Sequence, residues 1–376
     1  MSEEETVRIL RRDIVLLTVL AVGTAGLFFI TRAVAAREGS IESRVASTWY
    51  QVGLKKFHAG KIEEAIESFQ KSTAIDRENR TYVMALADAL AADNKNIEAE
   101  EALLRLRESE PTNAEINVHL ARLAVKTGKV QNAVLYYHSA LDGLWTGPDV
   151  AQQRRDVRKE LIYFLIDRHD ENRALSELLV LDSDLPDSPD AHVQVAKLFL
   201  KADDARHALN DFLEALRLDP RNTEALAGAG EAEFRLADYR RARHYLEEAT
   251  AQGETSGETA QLLALVRMVA SYDPLATGLT AKERQQRLSS SLDQATQRLE
   301  QCQSRNSSPD MDTLKGESDQ MRAQVNSTTG LQDPGLISSG LGLIYRIEDA
   351  VDARCGAATG PDQTLLLIGR RHGETQ

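Results

Sequence analysis

The sequence predicts an all-α chain: a stack of paired helices, preceded by one apolar helix and followed by a small helical module. Three observations carry this prediction. An alanine recurs at Ala65, Ala99, Ala133, Ala174, Ala208 and Ala242, at spacings of 34, 34, 41, 34 and 34 residues. A large apolar residue stands four places after each, as Phe69, Leu103, Tyr137, Leu178, Phe212 and Leu246. Aromatic residues are only 5% of the 376, against 42% hydrophobic residues overall. That balance suits helices packed closely on one another better than a sheet core.

Residues 1–13 form a short polar tail. Residues 14–31 are expected to be a transmembrane helix, because Ile14 to Ile30 carry no charge. At about 1.5 Å per residue the run covers about 25 Å, near the hydrocarbon core of about 30 Å. Arg12 and Arg32 flank it and can reach the headgroups. A cleaved export signal is the rival reading. Ala33-Val34-Ala35 offers a cleavage pattern, and Arg11-Arg12 loosely resembles a twin-arginine signal. Arg8, Arg11 and Arg12 on one side balance Arg32, Arg37 and Arg44 on the other, so charge does not orient the helix. The short tail is the easier end to leave in the cytoplasm. The body is therefore expected in a bacterial periplasm as part of a single-pass membrane protein, with a cytoplasmic body as the alternative.

Residues 46–255 read as six helix–turn–helix units. In the first, Trp49, Val52 and Gly53 occupy one helix, Gly60 the turn, and Ala65, Phe69 and Ser72 the second helix. This pattern resembles the tetratricopeptide repeat, with W-x2-L-G in the first helix and A-x3-F-x2-A in the second. A closing proline is frequent in that family and is present here as Pro111, Pro186 and Pro220. Ser72 stands where the family usually has Ala. The small residue lets the two helices of a hairpin approach, and the Phe, Leu or Tyr one turn later fills the groove between them. No helix buries its apolar stripe alone, so hairpins must stack. The resemblance implies a superhelical solenoid with a concave face.

The single 41-residue spacing marks an insertion of seven residues near 142–153, where Gly143, Gly147 and Pro148 break helix around Trp145. Residues 256–303 are expected to cap the array with two helices, the second carrying Leu288, Leu292 and Leu299 at helical spacing. Residues 304–335 are rich in Ser, Asn, Asp and Gly and read as mostly flexible, with a short helix around 314–325. Residues 336–376 form a C-terminal helical module whose Ile344, Ile347 and Val351 share one face. Cys302 and Cys355 match no redox or zinc spacing, and one disulfide and two free thiols both fit.

Function is bounded mainly by exclusion. A formal net charge of -13 argues against broad nucleic-acid binding. Neither a phosphate-cradling glycine loop nor a His-Glu-x-x-His metal motif occurs. No catalytic residue, cofactor, metal or small-molecule substrate is therefore expected.

The resemblance implies that first-helix positions line the concave face and meet a protein or peptide. Carried onto this chain, those positions include Arg122 and Lys126 in the third unit and Lys159 and Tyr163 in the fourth. They also include Lys197 and Lys201 in the fifth and Ala227, Glu231 and Arg235 in the sixth. The cations read as a basic strip for a peptide carrying acids. The Lys and Asn pair by which chaperone-binding members clamp a terminal carboxylate is missing from the first unit. The expected function is a membrane-anchored interaction scaffold in export or envelope assembly. The alternative is an adaptor subunit of an envelope enzyme or transporter, acting through its C-terminal module.

Overall fold

The computed structural model describes residues 20, 22–28, 31–32, 42–276, 278–306, 308–327 and 334–373. Regular structure among them is helical throughout. Contacts divide the chain into two units, residues 1–164 and 165–376, each taken by itself. The first holds the pairs α1 (42–58) and α2 (Ile62–Ile75), α3 (Arg80–Ala92) and α4 (Asn96–Ser109), and α5 (Ala114–Lys126) and α6 (Val130–Leu141). Helix α7 (Val150–Asp167) runs across the boundary. The second unit continues with α8 (Glu171–Asp182), α9 (Pro189–Lys201), α10 (Ala205–Leu218), α11 (Thr223–Arg235) and α12 (Tyr239–Ala251).

Ala65, Phe69, Ala99, Leu103, Ala133, Tyr137, Ala174, Leu178, Ala208, Phe212, Ala242 and Leu246 are all buried, none more than 3% exposed. One residue between the helices of each pair adopts a left-handed conformation: Gly60, Asn94, Gly128, His169, Asp203 and Ala237, with φ from 57° to 75°. These six share the spacing of the alanines. The next residue's N–H reaches back to close the preceding helix, as in Lys61 to the Lys56 carbonyl (3.0 Å) and Asp238 to the Glu233 carbonyl (2.9 Å). In the last three turns that next residue is Asp170, Asp204 or Asp238, whose side chain also caps the following helix. In the first three it is Lys61, Lys95 or Lys129, and no side chain caps.

The insertion is a loop between α6 and α7. Leu144 N–H donates to the Thr112 carbonyl (2.7 Å) and Ala114 N–H to the Leu144 carbonyl (3.1 Å), which stitches the loop to the turn before α5. A side chain at Gly143 would lie 2.8 Å from the carbonyl oxygens of both Ser139 and Thr112, so the stitch requires glycine.

The expectation of a transmembrane helix over residues 14–31 is corrected. Among the described residues no helix is long and apolar enough to cross a membrane. Most of that run lies outside the described residues. Of its described residues, Leu20, Val22, Leu27 and Phe28 are exposed. The single-pass topology and the membrane as a partner are withdrawn with the helix that implied them.

The C-terminal part comprises α13 (Gly257–Tyr272), α14 (Ala281–Gln303), α15 (Pro309–Val325), α16 (Pro334–Cys355) and α17 (Pro361–Gly373). Helix α15 departs from the flexible reading of 304–335. Ser308 caps it, Pro309 starts it, and Met311, Leu314, Ser318 and Val325 are buried. A serine in the middle of that buried stripe hides its periodicity from a hydropathy reading. These helices share one core with α12, from Tyr239 and Leu246 through Leu292, Ile344 and Ile347 to Ile368.

Two long-range links fasten this core. Cys302 and Cys355 form a disulfide between the ends of α14 and α16. Arg298 on α14 pairs with the fully buried Glu348 on α16. Arg298 also reaches Asp352 (3.7 Å) and Asp362 (3.5 Å). Burial pushes the Glu348 carboxyl up to about 7, outweighing the pull of Arg298, and the charges of Asp362 and Asp352 add to the rise.

Candidate partner-binding surfaces

In the first unit, α5, α7 and the insertion loop enclose a cavity of about 320 Å³. Val118 and Arg122 from α5 line it together with Trp145, Asp156 and Glu160. Trp145 is half-buried, and its indole nitrogen is buried with no acceptor. Arg122 grips Glu160 in a fork, with N···O distances of 2.9 and 2.6 Å. This hydrogen bond holds the Arg122 guanidinium firmly protonated. The Tyr137 hydroxyl donates to the same carboxylate at 3.4 Å. Burial first, and the Glu160 charge second, push that phenol well above its ordinary range.

The other expected cations of this unit are also engaged. The Lys126 ammonium donates to the Ala91 carbonyl, and Lys159 stands 3.8 Å from Asp156. Tyr163 is 45% exposed.

In the second unit a cavity of about 590 Å³ opens among α9, α11 and α13. Leu200, Phe212, Phe234, Leu246 and Leu262 give it an apolar floor. First-helix positions Lys197, Ala227, Glu231 and Arg235 line it, as the repeat register implies. Lys197 pairs with Glu224. Arg235 bonds to Glu231 (2.7 Å) and to the Leu200 carbonyl (2.8 Å), with Asp203 at 3.4 Å. Lys201 is not part of the lining.

Charge is where the site differs from the strip read in the sequence. Four glutamates, Glu224, Glu231, Glu254 and Glu258, share this lining with two cations. The repeat register names the inward first-helix positions but not the carboxylates opposite them. Glu160 and Glu224 fall outside the family's positions carried onto this chain, and Glu254 and Glu258 come from the turn and helix beyond the last unit. Glu231 was legible, since it occupies a ligand-facing position itself.

Models of the tetratricopeptide repeat match residues 46–79, 84–148 and 195–257. No curated protein matches. Among solved structures, the C-terminal part of a repeat-containing protein from Cytophaga hutchinsonii is 12% identical with a TM-score of 0.43, covering 80% of this chain and 95% of that one. The type IV pilus biogenesis factor PilW is 16% identical with a TM-score of 0.40, covering 58% and 98%. YrrB, described as a TPR protein with an unusual peptide-binding site, is 16% identical with a TM-score of 0.34, covering 52% and 95%. Scores below 0.5 leave the shared repeat as the extent of these likenesses. The matched stretches carry the tetratricopeptide-repeat pattern.

Proposed function

We propose that this chain is a non-catalytic tetratricopeptide-repeat scaffold that binds a segment of a protein partner on the first-helix faces of its hairpins. The cavity among α9, α11 and α13 carries the reading. It combines an apolar floor with rim charges at the positions that the repeat presents to ligands. The partner seats an apolar side chain on Leu200, Phe212 and Phe234. Its polar groups exchange with the Lys197–Glu224 and Arg235–Glu231 pairs. In the first unit, Arg122 serves the same role beside Trp145, with Lys126, Lys159 and Tyr163 at the other first-helix positions. Membrane anchoring is no part of this function.

Site-specific photocrosslinking tests it. A photoreactive residue at Ala227, on the cavity wall, should give a discrete adduct with a partner. The same residue at exposed Arg206 on α10 should not. Adducts arising equally from both positions would rule out the first-helix face as the docking surface.

A further inference from the structure

Apart from both cavities, three side chains with metal-ligand chemistry meet in the second unit. Asp182 is the last residue of α8, His192 lies in the first turn of α9, and Asp211 sits midway along α10. One donor atom from each lies within 4.8 Å of the other two. His192 Nδ1 stands 2.9 Å from an Asp211 oxygen. Asp211 is 5% exposed and directly precedes the repeat anchor Phe212, while Asp182 and His192 are half-buried and reachable from solvent.

A buried carboxylate beside a second carboxylate needs positive charge. His192 pairs with Asp211. The Asp182 carboxylate lies within 4.8 Å of the Asp211 carboxylate. Burial first, and the neighbouring Asp182 next, push Asp211 up to about 6 against the pull of His192. Two ionised carboxylates and a neutral imidazole carry the charge that a divalent ion cancels. One nitrogen and two oxygen donors suit zinc, cobalt or manganese, with water completing the shell.

We propose that Asp182, His192 and Asp211 form a divalent transition-metal site that pins α8 to the α9–α10 hairpin. The ion would be bound by His192 through Nδ1 and cross-link the end of one repeat to the body of the next.

Titration of the chelator-stripped full chain with zinc chloride and with cobalt chloride tests this. One ion should bind per chain, cobalt should give visible absorption from an ordered nitrogen and oxygen shell, and the melting temperature should rise with the ion. Asp211→Asn and Asp182→Asn keep side-chain size while removing charge, and each should weaken binding at least about tenfold. Their melting temperatures without metal check that they fold. His244→Ala removes a surface histidine 3.7 Å from Glu248 and should leave binding unchanged. Non-stoichiometric binding by the wild-type chain, or one-to-one binding that survives both Asn variants, would overturn the proposal.

Discussion

The hairpins and the C-terminal helices reach stability by different routes. Each hairpin repeats one local device, in which a buried alanine, a large side chain a turn later and a left-handed residue close two neighbouring helices. The helices from α13 onward have no such register. Their core depends on groups far apart in sequence: Cys302 with Cys355, 53 residues apart, and Arg298 with Glu348. A repeated local device survives the loss of one copy, whereas a single clasp has no spare.

The largest effect is therefore expected at the disulfide. Closing a loop of 53 residues stabilises by about 4 kcal/mol in the chain-entropy account. Replacing both cysteines with alanine should destabilise α14–α17 by about that amount while leaving exchange protection in α1–α6 unchanged. Equal loss of protection in both regions would erase the distinction.

Glu348 comes next and gives the contrast a pH dependence. Its carboxyl holds a proton up to about pH 7 in the folded chain, against 4.5 ordinarily. The folded state thus binds more protons than the unfolded one between those values. Stability should fall as pH rises from about 4.5 to about 7, by roughly 3 kcal/mol, and level off above. Glu348→Gln should flatten this slope in chemical denaturation series. An unchanged slope would mean that burial does not govern this carboxyl.

Within the hairpins the expected effects are smaller. A Cβ at Gly228 on α11 would overlap the Phe212 ring of the preceding hairpin. Gly228→Ala should cost about 1–3 kcal/mol of overpacking, more than the roughly 1 kcal/mol that helix propensity returns. A thermal melt that matches or exceeds wild type would show that the ring yields. The smallest change is a gain. Ala237 holds φ at 58°, where a Cβ is strained, so Ala237→Gly should stabilise by about 1 kcal/mol. The corresponding Gly60→Ala should lose a similar amount.

Much of the hairpin region was legible because its device is periodic. Ala65 and its successors at fixed spacing mark the buried seam, and the extra seven residues mark the loop that carries Trp145. The turn was legible at Gly60, where glycine advertised it. His169, Asp203 and Ala237 occupy the same conformation without the residue type that signals it, the first two of them backed by a capping aspartate next in sequence. In the C-terminal helices periodicity is diluted by buried polar groups such as Ser318 and Glu348, so only the part of α15 around 314–325 read as helix. The transmembrane reading rested on hydropathy and the flanking Arg12 and Arg32, with no packing partner to check it. Inward first-helix positions, Glu231 among them, were readable in the second unit, yet the pairing of Lys197 with Glu224 and of Arg235 with Glu231 was not.

Binding at that surface is the central claim, and filling the cavity tests it most directly. Peptides selected from a random displayed library against the full chain supply ligands even while the natural partner is unidentified. Their affinity for wild type, Ala227→Trp and Arg206→Ala can then be measured side by side. The indole at position 227 should occupy the cavity of about 590 Å³ and lower affinity at least about a hundredfold, with the melting temperature held. Arg206→Ala should change nothing. Peptides that bind Ala227→Trp as tightly as wild type would contradict the account.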